Sequence, residues 1–211
     1  MSEVTQTPKN ENSILGMVKL GLILAVYAVV SCAVLALVNN FTSPKILENS
    51  IKKATAAMKE VFVEADDFEK IDDFAPATTN TITLSDAYLA KKNGQVIGAV
   101  IQVAGPTYDK GKIILGIRTD GLISGLRFLE LTDSPGFGSK AKDPNYTVKS
   151  GKTFYEQFAL KDAGQPFVNN QNFDGISGAT ITSNSVATLI NQGAASLLKY
   201  FAEHDLGGKN E

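Results

Sequence analysis

The sequence predicts an α+β protein, with an N-terminal single transmembrane helix followed by an antiparallel sheet with helices packed on one side. Three observations carry this expectation. An uncharged apolar run occupies Leu20–Val38. Four runs with the two-residue period of strands follow from Thr81, separated by turn dipeptides. An amphipathic run with helical spacing closes the chain.

Residues 1–13, MSEVTQTPKNENS, are polar and are expected to be a disordered tail. In residues 14–41 lies LGLILAVYAVVSCAVLALV, preceded by Lys19. As a helix this run rises roughly 28 Å, close to the hydrocarbon thickness of about 30 Å. It is longer than the apolar core of a signal peptide and is not followed by an A-x-A cleavage pattern. VVSC, ending at Cys32, has the look of a lipoprotein box, but the chain stays apolar beyond it, so a plain helix cysteine is the better reading. Lys9 and Lys19 precede the run, while Lys45, Lys52, Lys53 and Lys59 follow it. Charge alone leaves the orientation open.

Residues 42–80 are expected to be a helical and irregular connector. NNFTSP reads as the membrane exit, and KILENSIKKATAAMKEVF after Pro44 has helical spacing. EADDFEKIDDFAPATTN reads as acidic and irregular. Residues 81–211 form the domain. TITLSDAYLAKK, QVIGAVIQVAG, KIILGIRT and LISGLRFLEL are its strands, with turns at Asn93-Gly94, Gly105-Pro106 and Asp120-Gly121. A long Gly- and Pro-containing loop follows, then TFYEQFAL as a short helix and GQPFV as a further strand. The last helix is expected to begin at Ser183 or Asn184, with Val186, Leu189, Ile190, Leu197, Leu198 and Phe201 on one face.

Composition narrows the function. The chain is 44% apolar and 20% charged, enough for a core, with a net charge of −2 and no basic patch to meet nucleic acid. One histidine, His204, argues against a histidine-based metal site or a Ser-His-Asp triad, so no metal ligand and no catalytic residue is expected. A single cysteine excludes an intrachain disulfide. Neither a GxxxxGK[ST] loop nor a GxGxxG turn is present.

DGISGATITSNSV, Asp174–Val186, crowds five hydroxyls before the last helix. Thr182, Ser183 or Asn184 can cap that helix. Thr180 is left over. Its small neighbours leave the hydroxyl uncovered, and Gly175 and Gly178 admit a close approach. The adjacent helix N-terminus offers unpaired N–H groups to an anion.

Asp174-Gly175-Ile176-Ser177-Gly178-Ala179-Thr180 resembles the flavinylation motif of the FMN-binding domain family. Two kinds of protein share that domain: RnfG, the G subunit of the Rnf electron transport complex, and the C subunit of the sodium-translocating NADH:quinone oxidoreductase. Glu130-Leu131-Thr132-Asp133-Ser134-Pro135-Gly136-Phe137-Gly138 resembles the family's E-x-x-x-T-P-G-[LF]-G-like loop, with serine where threonine is common at 134. The resemblance runs from Thr81 through the last helix and includes the N-terminal anchor. The length and the short connector resemble RnfG more closely.

The resemblance implies FMN covalently attached through its phosphate to the Thr180 hydroxyl by a separate flavin transferase. Asp174, Ser177, Gly178 and Ala179 belong to the recognition motif, and the Thr182 hydroxyl with the adjacent N–H groups would meet the phosphate. Glu130, Leu131, Thr132, Ser134, Pro135, Gly136, Phe137 and Gly138 form the second cofactor-binding stretch. Phe137 or Leu131 is expected against the flavin ring, although Phe137 reads equally as an ordinary core aromatic. Also implied are an electron relay in an ion-translocating ferredoxin:NAD oxidoreductase, with other membrane subunits and lipid as partners. A single-pass place in a bacterial or archaeal cytoplasmic membrane would leave the flavin domain on the outer face. The alternatives are the FMN-carrying component of the quinone reductase and a non-redox membrane-anchored assembly module.

Overall fold

A computed structural model describes residues 12–74, 78–79 and 81–207. The expected tail, up to residue 11, lies outside the described residues. The chain divides into two compact units, Met1–Ile51 and Lys52–Glu211.

The first unit is helical. α1, Asn12–Val61, begins here and continues into the second unit. Among the described residues it is the one helix long and apolar enough to cross a membrane. Side chains over residues 15–51 are exposed within the chain, and none of its apolar window is buried. The segment read as the membrane exit, NNFTSP, is continuous helix, and Pro44 lies inside α1. Proline removes one ladder bond. The helix is polar at this point, and the Ser43 hydroxyl donates to Asn39 Oδ1 at 3.1 Å.

The second unit is built on an antiparallel sheet. Its strands are β1 (Asp67–Lys70), β2 (Thr78–Thr79), β3 (Ile82–Lys92), β4 (Gln95–Gly105), β5 (Gly111–Arg118) and β6 (Ile123–Leu131). Their order is β1-β3-β4-β5-β6, with β2 also beside β3. The four strands read from the sequence are all present. Asn93 and Gly94 both take positive φ, 51° and 79°, the type I′ geometry whose twist matches the flanking strands. β1 replaces part of the stretch expected to be irregular. It pairs Phe68 with Ala90 and Asp67 with Lys91, and its own side chains are mostly exposed, so pairing, not a buried face, makes it a strand.

One sheet face packs against α2, Thr180–Glu203. Val186, Leu189, Ile190, Leu197 and Phe201 of α2 share a core with Ile101, Val103, Ile113 and Leu115. Gly193 lets the helix come close, since a Cβ there would lie 2.8 Å from Val103 Cγ2. Across the sheet, Ala57, Met58, Val61 and Phe62 join Ala90, Val100 and Ile114 in a second, smaller cluster. The end of α1 is therefore part of this unit, and the domain starts well before Thr81.

Between β6 and α2 the chain has little regular structure, only 3₁₀ turns at Gly138–Lys142 and Glu156–Phe158. The second replaces the expected TFYEQFAL helix. GQPFV forms no strand among the described residues, although Asn169 bridges Phe173 just beyond it. Loops this long seldom hold one shape unaided. This one is held by Phe154, Phe158, Phe167 and Phe173, whose rings meet at centroid distances of 5.2–6.2 Å.

Candidate functional site

The helix carrying the hydroxyl cluster begins at Thr180, three or four residues earlier than expected. Gly178, at φ +80°, turns the chain, and Ala179 occupies the N-cap position without a side-chain oxygen to offer. Among the described residues no side chain caps the first turn. The expected capping residues do other work. Ser183 accepts the Ile176 N–H at 2.9 Å and donates to the Ala179 carbonyl at 2.9 Å, so its hydroxyl stitches the preceding loop to the helix. Thr182 Oγ1 donates to Asp133 Oδ2 at 2.5 Å.

Asp133 organises the site, and sequence reasoning passed over it although it stands inside the loop motif that ends at Gly138. It is 4% exposed. Oδ1 accepts from Thr107 Oγ1 at 2.5 Å and from the Asp109 N–H at 2.9 Å. Oδ2 accepts from Thr182 and, at 3.3 Å, from the Tyr108 N–H. Burial is the largest single influence and opposes ionisation, yet the four donors together hold the carboxyl below the usual carboxylate range. One charge thus ties the β4–β5 turn, the loop after β6 and the first turn of α2. Gly138 closes against it, since a Cβ there would lie 2.6 Å from Asp133 Oδ2. The signal was the strand period itself: Leu131 is buried, Thr132 exposed and Asp133 buried, so the alternation of β6 runs past its end.

Around this tie lies a cleft of about 530 Å³, lined by Tyr108, Ser134, Phe137, Gly138 and Gly178–Thr182. Its size falls in the range of small-ligand sites. The Thr180 side chain is exposed at its rim. Phe137 is 58% exposed, which sets aside its reading as a core aromatic. Leu131 is the reverse: it is buried in the core, with its carbonyl accepting from Lys142 Nζ at 2.9 Å. It has no face on the cleft.

The other motif residues divide similarly. Ser134, Pro135 and Gly136 form an exposed turn, in which the Ser134 carbonyl accepts the Phe137 N–H at 3.3 Å. Glu130 pairs with Lys110 at 3.3 Å, and the Thr132 hydroxyl donates to the Lys110 carbonyl at 3.2 Å, so both brace the hairpin behind the cleft. Asp174 accepts the Ser150 N–H at 2.9 Å, and Gln157 brackets its backbone. Ser177 is exposed on the approach to Thr180.

An exposed hydroxyl, an uncapped helix N-terminus and an open cleft with aromatic walls form a donor set that fits a flavin phosphate. Uncapped N–H groups suit an anion, and the aromatics suit a planar ring. Comparison with known proteins agrees. The FMN-binding domain family model matches residues 107–195, which contain every residue of this cleft, and the RnfG N-terminal region matches residues 14–61. The chain is 31% identical to the G subunit of the Na(+)-translocating ferredoxin:NAD(+) oxidoreductase complex of Acetobacterium woodii, covering 82% of this chain and 87% of that one. It is 30% identical to the G subunit of the ion-translocating oxidoreductase complex of Cereibacter sphaeroides, with 87% and 85% covered. Its identity to the Pseudomonas aeruginosa protein of the same name is 27%, with 88% of each chain covered. The chain belongs to the RnfG family, the G subunits of Rnf-type ion-translocating oxidoreductase complexes.

Proposed function

We propose that this chain is the membrane-anchored FMN subunit of an Rnf-type complex, holding the flavin covalently through a phosphoester at Thr180. The single observation that carries the attachment point is the position of Thr180: exposed, at the first residue of an uncapped helix, on the rim of the aromatic cleft. The FMN-binding domain match supports the cofactor. The names of the relatives support redox chemistry coupled to ion movement, and the name of the Acetobacterium woodii relative supports ferredoxin and NAD as the redox couple.

The roles divide by chemistry. A threonine hydroxyl is a weak nucleophile near neutral pH and needs activation. The cleft bounded by Tyr108 and Phe137 offers Thr180 no base, and attachment is assigned to a separate flavin transferase acting on FAD. The phosphate of FMN would pass to Thr180 Oγ, AMP would leave, and the hydroxyl proton would be lost to the transferase. Asp174, Ser177, Gly178 and Ala179 would be the recognised stretch. The backbone N–H groups of Thr180, Ile181 and Thr182 would face the phosphate, while the Thr182 hydroxyl remains committed to Asp133. Ser134, Pro135, Gly136, Phe137 and Gly138 would flank the ring; Glu130, Leu131 and Thr132 would support that loop from behind. Bound there, the flavin supplies reversible electron transfer. The protein keeps it from diffusing away and near its partners at high effective concentration.

Residues 14–41 would span the cytoplasmic membrane in contact with lipid and the other membrane subunits, with the flavin domain on the outer face. The candidate span carries no charge between Leu20 and Val38, so ion conduction belongs to those partner subunits.

Intact mass of the full-length chain, co-expressed with a flavin transferase, tests the attachment. The expected gain is about 438 Da, FMN less one water, and Thr180→Val should show none. A wild-type chain without the added mass, or a Thr180→Val chain still yellow after denaturation, sinks the assignment.

A further inference from the structure

Thr180 stands between two clefts. Besides the one already described, a second of about 550 Å³ is lined by Tyr146, Lys149, Asn169, Asn170 and Ser177, and it shares Gly178 and Thr180 with the first. A ring tethered at Thr180 can enter either. We propose that Tyr108, at the tip of the β4–β5 hairpin, is a flavin-contacting residue, and that the isoalloxazine ring lies between Tyr108 and Phe137. This rests on the covalent reading above and specifies which side of Thr180 the ring takes.

Exposure is the first ground. Among the described residues of Lys52–Glu211, the exposed large hydrophobics are Val63, Tyr108, Phe137, Leu160, Val168 and Ile181. Three of these six line the first cleft and none lines the second. Apolar side chains left facing water around a concavity mark a binding surface. The apolar part of a flavin ring matches that wall, whereas Lys149 and the two asparagines present charge and amide groups.

The second ground is rigidity. Tyr108 is 65% exposed, yet the backbone beneath it is fixed. Its own N–H, the N–H of Asp109 and the hydroxyl of Thr107 all bind Asp133. The same carboxylate holds Thr182, two residues after Thr180. One buried group therefore sets Tyr108 and the tether relative to each other. An exposed aromatic on a fixed backbone is preorganised for a planar partner. A merely solvated hairpin tip has no need of three such bonds.

The chain has six tyrosines and no tryptophan, which makes the test direct. A phenol in contact with a photoexcited flavin gives it one electron and takes it back, so emission is lost. Phenylalanine has the same shape and is too hard to oxidise. The fluorescence lifetime of the flavinylated full-length chain, in detergent, is compared for wild type, Tyr108→Phe and Tyr146→Phe, after intact mass has shown flavin on each. Both substitutions keep the ring, so folding is preserved. A severalfold longer mean lifetime in Tyr108→Phe, with Tyr146→Phe unchanged, is expected. A longer lifetime in Tyr146→Phe alone, equal lengthening in both, or no change in either overturns the assignment. Absence of the flavin mass from wild type overturns the covalent reading itself, and this inference with it.

Discussion

Removing the Asp133 carboxylate should loosen three segments at once. Asp133→Ala is expected to destabilise the domain by about 2–6 kcal/mol, the cost of leaving two buried hydroxyls without their acceptor. The magnitude follows from what is left behind. Thr107 and Thr182 are 6% and 1% exposed, so neither hydroxyl regains water when its acceptor is lost. Each such orphan costs about 1–3 kcal/mol. The N–H groups of Tyr108 and Asp109 lie at an exposed hairpin tip and recover solvent, adding little. Asp133→Asn keeps the shape and one acceptor oxygen but aims an amide N–H₂ at donors, so an intermediate loss is expected.

Denaturant unfolding of the full-length chain in mild detergent, followed by near-ultraviolet circular dichroism of the tyrosines, measures the loss. Acidification gives a second readout. Because the folded carboxyl titrates below its usual range, its contribution is fully present above the unfolded value of about 3.9. That contribution is lost as pH falls through the folded value. Wild type should therefore weaken as pH falls below about 4, while Asp133→Asn is flatter over the same window. A wild-type midpoint in Asp133→Ala, or equal acid slopes in wild type and Asp133→Asn, would refute the idea that this carboxylate ties the site together.

Thr180→Val should leave unfolding within about 0.5 kcal/mol of wild type, as expected for an exposed position, while abolishing the added flavin mass. The His204 ring bonds the Tyr200 carbonyl at 3.0 Å and Asp73 at 3.2 Å, and these partners, the carbonyl first, raise its pKa against slight desolvation. A raised value means stability present below about pH 6.5 and lost as pH rises through the folded pKa. His204→Gln should therefore be less stable than wild type in mild acid and indistinguishable from it at alkaline pH in the same unfolding assay. For topology, Lys199→Cys in a Cys32→Ser background should react with a membrane-impermeant maleimide in intact cells, since the Lys199 side chain is 75% exposed. Protection until lysis would place the domain inside.

The sheet was legible because its strands follow the alternating pattern and its tight turns carry their own chemistry, as Asn93-Gly94 does. β1 was not, because DFEK contributes only Phe68 to a buried surface and becomes a strand by borrowing the edge of β3. The start of α2 was misplaced for a related reason. Side-chain caps were sought among Thr182, Ser183 and Asn184, whereas the turn at Gly178 sets the start and Ser183 faces backwards into the loop. The attachment motif could be recognised as a string of residues. The aromatic wall could not, since Tyr108 and Phe137 lie 29 positions apart (137 − 108) in sequence and meet through the fold. Asp133 stayed hidden because an acid in a loop ordinarily points to water, although the alternation carried on through Leu131 and Thr132 turns it inward.

The small cluster under the sheet decides where this protein can be cut. Ala57, Met58, Val61 and Phe62 cover Ala90, Val100 and Ile114, and the chain comes down onto glycines: a Cβ at Gly125 would lie 3.2 Å from the Val61 carbonyl oxygen. A soluble fragment starting at Thr81, where the strand pattern begins, would shed β1 and strip this face bare. The exposed patch would favour self-association. Excision ahead of Ala54 keeps the lid, so a protease releasing an intact flavin domain must cleave within a helix whose last turns serve the sheet and not the membrane.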